Sequence, residues 1–128
     1  MLIDDFSNQS LTSKLGTQWY KASDKVMGGV SEASVSHEIY ANRPCLLLTG
    51  DVRLENNGGF IQVALNLAMS GKTFDASTFV GVRLVVRGNG EKYSVHLRTP
   101  HNVRPWQSYR ASFTASSEWK TIELPFVI

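Results

Sequence analysis

From about residue 30 onward, apolar side chains recur at every second position in short runs broken by Gly, Asn, Asp or Pro, the period of a strand with one face turned inward. Val82, Leu84 and Val86 alternate with Arg83, Val85 and Arg87; Tyr93, Val95 and Leu97 alternate with Ser94, His96 and Arg98; Ile122, Leu124 and Phe126 alternate with Thr121, Glu123 and Pro125. The segment from Ser31 to Tyr40 places Ala33, Val35 and Ile39 on one side, and Leu46, Leu48, Val52 and Leu54 predict a further strand running through a kink at Gly50. Residues 60–69 fit two periods. Ile61, Val63, Leu65, Leu67 and Met69 suit a strand, whereas Gln62 and Asn66, four apart, suit the polar side of a short helix; strand is the reading adopted.

The breaks carry turn chemistry. Asn56-Asn57-Gly58-Gly59 and Ser70-Gly71-Lys72 bracket the ambiguous run, Gly28-Gly29 and Arg87-Gly88-Asn89-Gly90 predict tight turns, and Thr99 to Pro105 predicts a longer loop. About eight or nine short strands, with a turn signal roughly every ten residues, indicate an all-β fold, a β-sandwich of two antiparallel sheets. No linker, charge run or fixed-period repeat divides the chain, so one domain is expected over residues 1–128.

Composition narrows the function classes. A chain of 128 residues with 42% hydrophobic and 19% charged content is an ordinary globular protein, large enough to hide roughly two-thirds of its extended surface on folding. Thirteen basic against eleven acidic side chains leave a net charge of +2, far from the dense positive field of a dedicated nucleic-acid binder. The single cysteine, Cys45, rules out an intrachain disulfide and points to a reducing compartment; followed by Leu46-Leu47-Leu48, it reads as a core residue. No stretch approaches the ~20 apolar residues of a membrane span, and the N-terminus shows no basic region followed by an apolar run. A soluble protein is expected.

The residues of catalysis and metal binding are not grouped. His37, His96 and His101 are scattered without the close spacing of a zinc site, and Asp4-Asp5 on extended chain point in opposite directions. No Gly-x-Ser-x-Gly turn is present, and neither glycine pair has the full pattern of a phosphate-binding loop. The expectation is a binding protein with no catalytic residue, no metal and no cofactor.

Two segments are the contact candidates. Asp24, Lys25, Met27, Gly28 and Gly29 combine a charged pair, a flexible thioether and two glycines, the composition of a loop that approaches another surface closely and equally of a β-turn whose Met packs on the core rim. Trp106, Gln107 and Tyr109, in the run Pro105 to Arg110, are either a core edge or a recognition patch, since Trp, Tyr and Arg dominate interface hot spots. Arg83, Arg87, Arg98 and Arg110 fall on the polar side of expected strands, where a shared face would suit carboxylates, sugar hydroxyls or an acidic partner. Arg98 joins Trp106, Gln107 and Tyr109 as the candidate group, which also suits a glycan.

Taken in order, several segments resemble the complex I intermediate-associated protein 30 family. They are Ser23-Asp24-Lys25-Val26-Met27-Gly28-Gly29-Val30-Ser31, Asn57-Gly58-Gly59-Phe60, Phe79 through Gly90 with Tyr93, Trp106 through Phe113, and Trp119 with Leu124-Pro125-Phe126. The resemblance implies a jelly-roll-like sandwich similar to galactose-binding domains, without catalysis. It further implies a protein partner, respiratory complex I subunits or assembly intermediates, with a carbohydrate on the concave sheet face as the alternative. A bacterial member would act in the cytoplasm, a mitochondrial one in the matrix after removal of a targeting segment. Family members continue into further strands past the Leu-Pro-Phe segment; a sheet edge left open there is expected to be covered by the N-terminal segment, a partner strand or a second copy in a homo-oligomer.

Overall fold

A computed structural model describes residues 1–54, 59–69, 72, 74–98 and 109–126, and for Val26, Met27 and Tyr109 the backbone alone. The chain is all-β. Its strands are β1 (Tyr20–Ser23), β2 (Glu32–Tyr40), β3 (Arg43–Asp51), β4 (Ile61–Ala64), β5 (Gly81–Val86), β6 (Lys92–Leu97), β7 (Tyr109–Thr114) and β8 (Lys120–Pro125). A short 3-10 helix, Asp24–Met27, is the one helical element among the described residues. All pairings are antiparallel: β1 with β4, β2 with β3, β5 with β8 and β6 with β7, the kind of pairing from which β-sandwiches are built. Contacts gather in two compact units, Met1–Phe74 and Asp75–Ile128.

In the first unit, β2 and β3 form a hairpin in continuous register from Glu32 opposite Asp51 to Tyr40 opposite Arg43. Ala41 and Asn42, both at positive φ, make the two-residue turn whose twist matches that of the flanking strands. At Gly50, where a kink is expected, the ladder pairs the glycine opposite Ala33. The glycine makes room there: an added Cβ would lie 2.8 Å from Ile61 Cδ1 of β4 and would press on the Glu32 carbonyl. Beyond Asp51 the chain leaves the ladder, so the strand expected through Leu54 ends early. The cause is local, since the Arg53 N–H donates to the Ser31 hydroxyl at 2.8 Å.

The run at 60–69 is a strand only over Ile61–Ala64. Past that point the Thr17 hydroxyl donates to the Asn66 carbonyl at 2.6 Å, and the backbone is committed to the N-terminal loop in place of a partner strand. That loop is fixed in turn by the Trp19 indole N–H donating to Asp4 at 2.8 Å and by the Phe6 carbonyl meeting His37 Nε2 at 2.7 Å.

In the second unit, Val82 of β5, Val95 and Leu97 of β6, Ala111 of β7 and Leu124 of β8 line one small space of about 10 Å³. That is close to the minimum for a single water, so these apolar faces close on each other without a ligand cavity. Tyr93 and Phe113, opposite in register, stack with ring centroids 6.1 Å apart. The turn between β5 and β6 is tied to the one between β7 and β8 by Gly88 and Gly90 N–H groups donating to Ser116 and Ala115 carbonyls at 2.7 and 2.6 Å.

The buried apolar residues described are small: Ala33, Cys45 and Ala115. Cys45 thus sits in the core as its neighbours suggested. Burial pushes its thiol above the ordinary cysteine value, and Glu38 across the ladder adds to the effect. Native Cys45 should therefore react with a disulfide reagent at pH 8 roughly tenfold or more slowly than the same thiol in urea-unfolded protein. Equal rates would show that β3 does not shield it.

Candidate functional site

Asp24 follows β1 directly and opens the 3-10 helix, capped by the Ser23 hydroxyl, which accepts from the Lys25 N–H at 3.3 Å. Asp24 and Ser31 are both 0% exposed and are the largest fully buried side chains described. A carboxylate in that position is tolerable only if its lone pairs are occupied. They are. Oδ1 accepts the Ser31 N–H at 2.9 Å; Oδ2 accepts the Ser31 hydroxyl at 2.5 Å, the Phe60 N–H at 3.3 Å and the Gly59 N–H. The Asp24 N–H completes the link by donating to the Phe60 carbonyl at 3.1 Å.

One carboxylate thereby joins the helix after β1 and the neighbouring loop before β2 to the approach to β4, 35 positions away. Ser31 extends the connection to a fourth, because its hydroxyl also accepts the Arg53 N–H. Burial pushes the Asp24 carboxyl up, but the Ser31 hydroxyl and the Gly59, Ser31 and Phe60 N–H groups together outweigh it and hold the group below the ordinary aspartate value. With its acceptor sites filled by fixed donors, this carboxylate is unsuited to moving protons. Its chemistry is positional.

The glycines serve the same arrangement. Gly28 ends the helix in the left-handed conformation at φ 85°, which turns the chain back so that the Gly29 N–H reaches the Asp24 carbonyl at 2.9 Å. At Gly29 an added Cβ would lie 2.5 Å from Asp24 Oδ1, so a side chain and the buried carboxylate are mutually exclusive there.

Asp24 and Lys25, adjacent in sequence, do not form a pair. Lys25 is exposed and its Nζ meets Glu32 at 2.5 Å. Together with Lys21, Ala22, Ser23 and Ala33 these two residues line a shallow recess of about 230 Å³. Elsewhere the stapled loops present apolar side chains to solvent: Val30, Val52 and, 78% exposed, Leu54.

Of the residues singled out in the sequence, Asp24, Lys25, Gly28 and Gly29 are thus brought together, Asp24 and Gly29 buried and Lys25 and Gly28 at the surface. Arg98 is exposed just past the end of β6, and the backbone of Tyr109 begins β7. Trp106 and Gln107 lie outside the described residues, as do the side chains of Met27 and Tyr109. Ser31, Gly59 and Phe60 were not foreseen as partners of Asp24. The available signal was an acidic residue followed, within seven positions, by two glycines and a serine, which is a set of close-approach backbone and donors for one carboxylate.

The fold and this site define an all-β protein with a loop stapled by a buried carboxylate. The chain belongs to the family described as Complex I intermediate-associated protein 30 (CIA30), whose family model matches residues 5–127. No curated protein and no solved structure matches it.

Three perturbations test the staple. Ser31→Ala removes one donor to Asp24 and orphans the Arg53 N–H, and should cost about 1–3 kcal/mol in urea unfolding. Gly29→Ala should cost about as much by overpacking, again ~1–3 kcal/mol; values near zero for both would show that the loops are held otherwise. For pH the sign follows from the depressed Asp24 value: its contribution is complete above the ordinary aspartate value of 3.8 and is lost as pH falls through the lower folded value. The urea midpoint of the wild type should therefore drop in that acid range more steeply than that of Asp24→Asn, and parallel profiles would contradict the assignment.

Proposed function

We propose that this chain is a non-catalytic assembly factor for respiratory NADH:ubiquinone oxidoreductase, complex I, holding partly built intermediates by docking against their subunits. The observation that carries the reading is the family match over residues 5–127, nearly the whole chain. The stapled loop supports a docking role. Buried hydrogen bonds fix the backbone on which Lys25, Val30 and Leu54 are exposed, so little conformational freedom is lost when a partner covers them. Exposed apolar side chains on preformed backbone are a common composition for protein contacts.

Affinity capture of the tagged protein from its own cells should recover complex I subunits, and deletion of its gene should leave partial complexes and reduced NADH:ubiquinone activity. Lys25→Gln, at an exposed position where loss of a surface ion pair costs little, should weaken capture with at most a small change in the unfolding midpoint. Normal complex I levels in the deletion strain, with no subunit recovered by capture, would contradict the proposal.

A further inference from the structure

The turn between β5 and β6 carries an Asn-Gly step, Asn89-Gly90, whose two halves can react with each other. A glycine nitrogen, with no side chain to obstruct it, can close on the carbonyl carbon of the preceding asparagine side chain, and groups so linked react as if at very high concentration. Both residues are exposed, and an added Cβ at Gly90 would meet nothing within 4 Å, so the step is open to water.

The fold engages both reacting groups elsewhere. Asn89 Oδ1 accepts the Tyr93 hydroxyl at 2.6 Å and the Glu91 N–H at 3.2 Å, and the Gly90 N–H donates to the Ala115 carbonyl at 2.6 Å. The anchors are fixed in their turn. The Tyr93 ring stacks on Phe113, and Ala115, 2% exposed, is held by its own N–H donating to the Glu91 carbonyl at 3.1 Å. For the ring to close, the side-chain amide must swing away from its two donors and the Gly90 nitrogen must leave its acceptor. We propose that Asn89 is a site of spontaneous deamidation that the native fold keeps latent, with the Tyr93 hydroxyl and the Ala115 carbonyl as its guards.

When the turn opens, the Gly90 nitrogen bonds to the Asn89 side-chain carbonyl carbon, its proton passes through solvent to the amide nitrogen, and ammonia leaves as that carbon–nitrogen bond breaks. Water then adds to one carbonyl or the other of the cyclic imide, giving aspartate or isoaspartate; nothing is oxidised or reduced. Either product adds a negative charge to the turn. Isoaspartate also routes the main chain through the former side chain, which displaces the Gly90 N–H that ties this turn to the one between β7 and β8. Donors on a carbonyl oxygen also polarise its carbon, so holding and activation by Tyr93 pull the rate in opposite directions. The site is independent of the docking function proposed above.

The test keeps the full chain at mildly alkaline pH, folded and in denaturing urea, and follows Asn89 by mass spectrometry of the Gly88–Lys92 peptide that trypsin releases. In urea Asn89 should convert at the pace of Asn57, which is also followed by glycine and serves as the clock for an Asn-Gly step in unfolded chain. In the folded protein Asn89 should convert roughly tenfold or more slowly than in urea, because it waits on opening of the turn. Tyr93→Phe, which keeps the ring and removes only the hydroxyl, should raise the folded-state rate about threefold and leave the urea rate unchanged. The ratio between folded and urea rates is read on the unaltered protein and stands even if the variant fails to fold. Equal rates with and without urea, or a slower rate in folded Tyr93→Phe, would overturn the proposal, as would an Asn89 that stays intact in urea while Asn57 converts.

Discussion

The first half of this chain is organised around a buried negative charge. Asp24 has no exposure to water, and a lone carboxylate in that setting would be expelled or neutralised unless donors replaced its hydration. Four hydrogen bonds from Ser31, Gly59 and Phe60 do so. The requirement works in both directions: the carboxylate needs these donors, and the backbone N–H groups of two irregular segments, at Ser31 and at Gly59 and Phe60, need an acceptor. Small side chains elsewhere in the core, Ala33 and Cys45 among them, cannot supply comparable tethering by apolar contact.

Several local features follow from that demand. Gly29 must lack a side chain because the Asp24 carboxyl occupies the space, and Gly28 must turn left-handed to bring the chain round to Ser31. Ser31, having given its hydroxyl proton to Asp24, uses its oxygen to take the Arg53 N–H, which ends the β2–β3 ladder at Asp51. The surface positions Lys25, Val30 and Leu54 therefore ride on backbone whose polar groups are satisfied internally. In the proposed docking role this is preorganisation: the free chain already holds the loop as a partner would meet it.

Much of the strand content was legible from alternation alone. The segments around Ala33 to Ile39, Val82 to Val86, Tyr93 to Leu97 and Ile122 to Leu124 all lie in strands, as their period of two suggests, although Ile39, expected on the inward side, is 68% exposed and Tyr93 38% exposed. The departures have named causes. Leu54 and Leu65 continue an apolar rhythm that the backbone does not follow, since Arg53 N–H and the Asn66 carbonyl are claimed by side chains from elsewhere in the fold. The strand Tyr20–Ser23 has no alternating apolar face to reveal it and is set by its partner Ile61–Ala64. At the candidate site the composition of the loop was legible and its burial was not: sequence adjacency suggested a pair between Asp24 and Lys25, whereas the donors that decide the position of Asp24 come from residues up to 36 positions away.

The most direct measure of the central claim is native-state hydrogen exchange at the N–H groups of Ser31, Arg53, Gly59 and Phe60. If the buried carboxylate holds these segments, the four amides are protected in the wild type and lose protection together in Asp24→Ala, while amides of Lys92–Leu97 exchange as before. Protection that survives the substitution, or four amides that respond independently, would contradict the account.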